Sequence, residues 1–143
     1  MNLAIQLLMA TVLMTIATVI HGTGVALSTK LFRYEDRKIR QQRLAAREVT
    51  LMVPMALTLF ALHATEIAVY AAFYLLVGEA ASFAQALHMS GLAYTTMGVL
   101  EGTGSRWPLV VTFEGLTGFL LIGWSAAVFV TDMDRVLRRR DPD

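Results

Sequence analysis

Three long apolar runs without a single Lys or Arg restrict the fold of this chain more than any motif does. They cover residues 3–27, 49–77 and 109–130. A helix needs about 20 mostly apolar residues to cross a bilayer, so each run is long enough. The composition agrees, because 56% of the residues are hydrophobic and only 16% are charged. The sequence predicts an all-α integral membrane protein with three transmembrane helices. We expect the first run to be a mature helix, since no basic residue precedes it as in a signal peptide.

The basic residues are concentrated in two places and predict a topology. Eleven of the 12 Lys and Arg residues lie within residues 30–47 or 135–140, and the remaining one is Arg106. Positive charge favours the cytoplasmic side, so both basic regions should lie there with an even number of crossings between them. We therefore expect a multi-pass protein of the cell (inner) membrane with its N-terminus outside and its C-terminus cytoplasmic. Lipid headgroups explain these charges better than nucleic acid does, and no nucleic-acid partner is predicted.

The segment 80–100 is apolar, yet it should not cross the membrane. A further crossing would move the basic tail to the outside, and the segment carries a heavy polar load for a lipid-facing helix. Its polar side chains are Ser82, Gln85, His88, Ser90, Thr95 and Thr96. Irregular backbone at membrane depth requires shielding by protein or by a water-filled cavity. The sequence therefore predicts a re-entrant segment: a short helix over 82–94 capped by Ser82, followed by a return strand over 95–101. The negative C-terminal end of that helix would favour a cation.

At these residues the chain resembles the potassium-channel superfamily, in particular small bacterial pore-domain proteins. "LHMSGLAYTTMG" is similar to the pore helix and filter entry, "HATEIAVYAAFY" to the outer helix, and "RWPLVVTFEGLTGFLLIGWSAAVFV" to the inner helix. The resemblance implies a pore domain over 49–133, with outer helix 49–77, pore helix 82–94, filter 95–101 and inner helix 108–133. An extra N-terminal helix (1–29), a basic connector (30–48) and a basic tail (134–143) would flank it.

The resemblance also implies which residues form the selectivity filter. The family pattern Thr-(Val/Leu/Ile)-Gly-Tyr-Gly-Asp falls on Thr96, Met97, Gly98, Val99, Leu100 and Glu101, preceded by Thr95. The first half matches, so carbonyl and hydroxyl oxygens up to Gly98 can form cation sites. In the second half Val99 lacks the bracing tyrosine hydroxyl, and the Cβ of Leu100 penalises the positive φ that the second glycine permits. These departures imply weakened potassium selectivity, with Glu101 at the outer mouth.

A carbonyl cage requires several filter strands, so the resemblance implies a homotetramer. Helical spacing places Thr117, Leu121, Ser125, Val128 and Asp132 on one stripe of the inner helix, which we assign to the cavity. The alternative is that the leucine and valine are packing residues. Gly118 and Gly123 are hinge candidates, although glycines in membrane helices are more often packing contacts. Asp132 and Asp134 would ring the cytoplasmic mouth, or simply balance the charge of Arg135.

Ionisable side chains inside apolar runs are costly and are functional candidates by default. His63 and Glu66, at i and i+3, are predicted to support the filter, with Glu66 hydrogen-bonded to the pore helix. A metal site at this pair is the less favoured alternative, since one histidine and one carboxylate are a weak signal. Glu114 is also assigned to filter support, near the filter or paired with Arg106. His21 has no identifiable partner in the sequence.

We therefore predict passive permeation of K⁺ and/or Na⁺ through a tetramer, with no cofactor. The alternative is a non-conducting regulatory or structural membrane protein of the same fold. An enzyme is not predicted, because His88 and Ser90 lie two residues apart on a helix and do not face each other. The chain has no cysteine, which excludes thiolate chemistry and disulfides.

Overall fold

The computed structural model describes residues 2–38, 44–98 and 105–138, which form four helices and no strand. The helices are α1 (Leu3–Lys38), α2 (Leu44–Leu76), α3 (Phe83–Tyr94) and α4 (Pro108–Arg138). Among the described residues, α1, α2 and α4 are the helices long and apolar enough to cross a membrane. The predicted all-α membrane architecture is confirmed at this level.

The long helices continue beyond the predicted apolar runs. α1 has 36 residues, which corresponds to about 54 Å at 1.5 Å per residue. This length exceeds the apolar core of a bilayer, about 30 Å, so the basic end of α1 extends past any membrane that the helix crosses. Much of the predicted connector 30–48 is consequently helical, because the loss of apolar residues marks the end of a membrane span and not the end of a helix. α4 begins at Pro108 as predicted, a position where the missing N–H costs nothing.

α1 packs against both α2 and α4 along a single face. Its buried residues recur every three or four positions and include the small residues Ala10 and Ala17, which are fully buried and permit close helix approach. At the start of α4, the Leu109 N–H donates to the Gln6 side chain of α1 at 3.2 Å. The extra N-terminal helix is thus an integral part of the helix packing.

α3 folds back beside α2 instead of continuing its direction. The Ser82 side chain accepts a hydrogen bond from the Gln85 N–H at 3.2 Å, as predicted for its N-cap. Arg106 fixes the turn between α2 and α3: its Nε donates to Glu79 Oε1 at 2.9 Å, and its Nη2 donates to the Val77 carbonyl at 2.8 Å. From this turn α3 runs back between α2 and α4, and contacts both helices.

Candidate functional site

Glu66 on α2 is a fully buried carboxylate that gathers side chains from three helices. Oε1 lies 2.8 Å from Nδ1 of His21 on α1, and Oε2 lies 3.2 Å from Nδ1 of His63. The Tyr94 hydroxyl at the end of α3 donates to the same Oε2 and lies 2.9 Å from Nδ1 of His63. A buried carboxylate is stable only when such donors surround it. The predicted hydrogen bond between Glu66 and the short helix is present.

Glu114 on α4 is the second fully buried carboxylate, and it also binds α3. The Tyr74 hydroxyl donates to Oε2 at 2.5 Å. The Ser90 hydroxyl of α3 can donate to Oε1 at 2.5 Å or to the Ile67 carbonyl of α2 at 2.9 Å. Glu66 and Glu114 therefore both hold α3, through Tyr94 and Ser90, which lie four residues apart on one face of that helix.

The C-terminal end of α3 lies against the backbone of α4. A Cβ on Gly118 would overlap the Tyr94 carbonyl oxygen, and one on Gly115 would lie 3.1 Å from the Ala93 carbonyl oxygen. Glycine is therefore required at Gly118 for this approach. Gly123 has open space around the corresponding position, so only Gly118 of the two hinge candidates has a packing role in the structure.

The chain leaves α3 through a left-handed turn. The Thr96 N–H donates to the Ala93 carbonyl at 3.0 Å and the Met97 N–H to the Leu92 carbonyl at 2.9 Å, the hydrogen-bond pattern of a Schellman motif. Thr96 occupies the position usually taken by glycine, with φ of 59°. A β-branched residue is unfavourable there by about 1–2 kcal/mol, which makes Thr96 a strained residue at the tip of the short helix.

The segment 95–98 after α3 is exposed on the surface of the single chain. Thr96 and Gly98 form one wall of an open hollow, and the opposite wall includes Gly115, Leu116 and Phe119 of α4. Leu116 and Phe119 present large apolar surfaces here, and the neighbouring Met97 is also exposed. The part of the predicted filter that the structure describes is therefore accessible from outside the chain, beside an apolar face of α4.

The predicted cavity stripe of α4 points elsewhere, and this assignment is wrong. Thr117, Leu121 and Ser125 are buried inside the chain, and Val128 is half-buried against an apolar cluster of α1, α2 and α4 that includes Val25, Leu59 and Met133. The Tyr70 hydroxyl lies 3.5 Å from Thr117 Oγ1, and Ser125 Oγ lies 3.4 Å from Nε2 of His21. Helical spacing predicted which residues share a face, but α1 and α2 cover that face.

Arg106, Asp132 and Asp134 each form an ion pair within the chain. Arg106 pairs with Glu79 and not with Glu114, whose oxygens are occupied by Tyr74 and Ser90. Asp132 pairs with Arg135 at 2.9 Å and Asp134 with Arg138 at 2.6 Å, which matches the charge-balancing alternative. Val99, Leu100 and Glu101 lie outside the described residues.

Sequence reasoning missed the role of His21, because its partner Glu66 is 45 positions away. The available signal was that His21 and Glu66 are both ionisable residues within apolar runs. Comparisons with protein-family models, with curated proteins and with solved structures give no match to this chain. Any function must therefore be argued from the site itself.

Proposed function

We propose that this chain is the subunit of a homotetrameric cation channel in the cell membrane, in which α3 is a re-entrant pore helix and 95–101 the filter. The channel would pass K⁺ and/or Na⁺ passively, with weak selectivity for potassium. Both basic regions would lie on the cytoplasmic side, in accord with the charge distribution of the sequence.

The placement of the C-terminal end of α3 carries this proposal. Tyr94 lies against Gly118, which follows the start of α4 by ten residues, or about 15 Å of helix. This distance is about half the thickness of the apolar core of a bilayer. α3 has only 12 residues, too few to cross, so its tip would end near mid-membrane if α4 spans.

The chemistry at that tip suits a cation. The negative end of the helix dipole is directed at the segment 95–98, and α3 has no basic residue in its last turn. Thr95 and Thr96 add hydroxyl oxygens, and the backbone beyond them adds carbonyl oxygens. Oxygen ligands of this kind can replace the water shell of a monovalent cation.

The exposure of the C-terminal end of α3 supports the assembly of several copies of the chain. Carbonyl oxygens of one chain cannot surround an ion, and irregular backbone at membrane depth must not face lipid. Further copies packed around Thr96, Leu116 and Phe119 would meet both requirements. Because the Thr117 stripe lies inside the chain, we no longer assign it to the cavity.

Reversal potentials of the purified protein in liposomes under opposed K⁺ and Na⁺ gradients test the proposal. Thr96→Ser keeps the hydroxyl and should preserve flux, whereas Thr96→Val removes it and should change the K⁺/Na⁺ permeability ratio. Folded tetramers that pass neither ion would refute the channel and favour the non-conducting regulatory or structural role.

The outer half of the filter has its own test. The double substitution Val99→Tyr with Leu100→Gly restores the family pattern and should strengthen potassium selectivity. Glu101→Gln should reduce cation flux by removing a negative charge at the outer mouth. Unchanged selectivity in the double variant would show that the filter register is wrong, and unchanged flux in Glu101→Gln that this residue is not at the mouth.

A further inference from the structure

We propose that His21, His63 and Glu66 form a binding site for a divalent transition metal of the Zn²⁺ type. Among the described residues, they form a group whose candidate ligand atoms lie within 4.8 Å of one another. His21 and His63 lie at 2.8 and 3.2 Å from the two oxygens of Glu66. Ligand atoms bound to one zinc ion at about 2.0–2.1 Å in tetrahedral geometry are separated by about 3.3 Å, so small movements suffice.

The donor set selects the class of metal. Two imidazole nitrogens and one carboxylate oxygen suit Zn²⁺, Co²⁺ or Ni²⁺, whereas Mg²⁺ and Ca²⁺ prefer oxygen ligands alone. Three protein ligands leave a fourth position, and the Tyr94 hydroxyl lies beside it, within hydrogen-bond distance of both His63 and Glu66. The site thus joins α1 to α2 and lies against the end of α3.

The surroundings of His21 match those of a metal ligand. A histidine that binds metal through Nδ1 carries its proton on Nε2 and donates it to a neighbour. Ser125 Oγ lies 3.4 Å from Nε2 of His21 and can accept that proton. The Trp124 ring packs beside the imidazole with 5.2 Å between ring centres and limits its rotation.

His63 is the accessible member of the group. Its side chain is 18% exposed, whereas those of His21 and Glu66 are fully buried. A metal ion would therefore enter past His63. Coordination through Nδ1 requires each imidazole to carry its proton on Nε2, so the metal would replace the hydrogen bonds that the two Nδ1 atoms make.

Zinc content per chain tests the site, and the third histidine of the sequence provides the control. Full-length protein is incubated with ZnCl₂, passed through a desalting column and analysed for zinc by mass spectrometry. We expect about one tightly held zinc per chain, lost in His63→Asn and Glu66→Gln and retained in His88→Asn, since His88 is exposed on α3. No retained zinc in the wild type, or equal loss in all three variants, would overturn the proposal.

A cysteine variant distinguishes loss of the metal site from loss of zinc through misfolding. The chain has no cysteine, so His63→Cys introduces a single thiol at a partly exposed position. With Co²⁺ this variant should show an intense thiolate-to-cobalt charge-transfer band, and its combination with Glu66→Gln should not. A band of equal intensity in both variants would mean that the introduced thiol binds cobalt without Glu66, against the proposed site.

A regulatory consequence rests on the proposed channel function. Because a bound metal would fix α1 and α2 next to Tyr94, Zn²⁺ should change cation flux in wild type and in His88→Asn but not in His63→Asn. If zinc is retained but does not change the flux, the binding site stands and the proposed regulation is refuted. If the protein retains zinc but conducts no ions, the channel proposal fails and the metal site stands.

Discussion

At the scale of single residues, Gly118 and the buried carboxylates of Glu66 and Glu114 determine the position of α3. Gly118 admits the α3 backbone, while Glu66 and Glu114 accept hydrogen bonds from Tyr94 and Ser90 of α3. Each carboxylate is fully buried and depends on its hydrogen-bond donors. The two glutamates were predictable as functional candidates because ionisable residues in apolar runs are rare, whereas nothing in the sequence favoured Gly118 over Gly123.

Gly118 and Gly123 of α4 make a matched pair for a stability test. Gly118→Ala places a methyl group against the Tyr94 carbonyl and should destabilise the protein by about 1–3 kcal/mol. Gly123→Ala meets no neighbouring atom and should be neutral or stabilising by up to about 1 kcal/mol. Thermal unfolding in detergent measures the stability of both variants. Equal melting temperatures of the two variants would contradict the close approach of α3 and α4.

At the scale of elements, α3 depends on its anchors more than on its own length. A helix of 12 residues is marginal in isolation, so packing and buried hydrogen bonds must hold it. The existence of α3, its N-cap and its end at Tyr94 were predictable from local sequence. Its contact with Glu66 was also predicted, but its contact with Glu114 was not, because Ser90 and Glu114 are 24 positions apart and their contact depends on helix packing.

Removing the anchors should loosen α3 without unfolding the protein. In the double variant Ser90→Ala with Tyr94→Phe, hydrogen exchange of the α3 amides should accelerate, because each lost buried hydrogen bond costs about 1–3 kcal/mol. Amides of α1 should remain protected. His88 is exposed on the same helix, so His88→Gln is the control. Unchanged protection of α3 in the double variant would show that the two carboxylates do not hold it.

At the scale of the whole molecule, two kinds of exposed apolar surface must be distinguished. A chain that crosses a bilayer needs lipid-facing side chains, and many large apolar residues of all three long helices are exposed. The face with Leu116 and Phe119 differs because it adjoins the exposed backbone at Thr96 and Gly98. Lipid cannot satisfy such backbone groups, so this face should be covered by further copies of the chain.

Two phenylalanines of similar exposure test this distinction. Phe119 is 67% exposed beside Thr96, and Phe60 is 73% exposed on α2. Phe119→Ser should weaken or dissociate the proposed tetramer, because it removes apolar area from the proposed contact between copies. Phe60→Ser should leave the assembly intact. Native mass spectrometry from detergent measures both, and an equal effect of the two substitutions would argue against a special role for the α4 face.

The sequence alone determined the helical class, the three apolar helices and the short helix after α2, because these depend on hydropathy, capping residues and local spacing. The tertiary structure decided which side chains meet. It brought His21 to Glu66, separated Arg106 from Glu114 and turned the Thr117 stripe inward. Periodicity shows which residues share a helix face, but only the packing of the other helices decides whether protein, lipid or water covers that face.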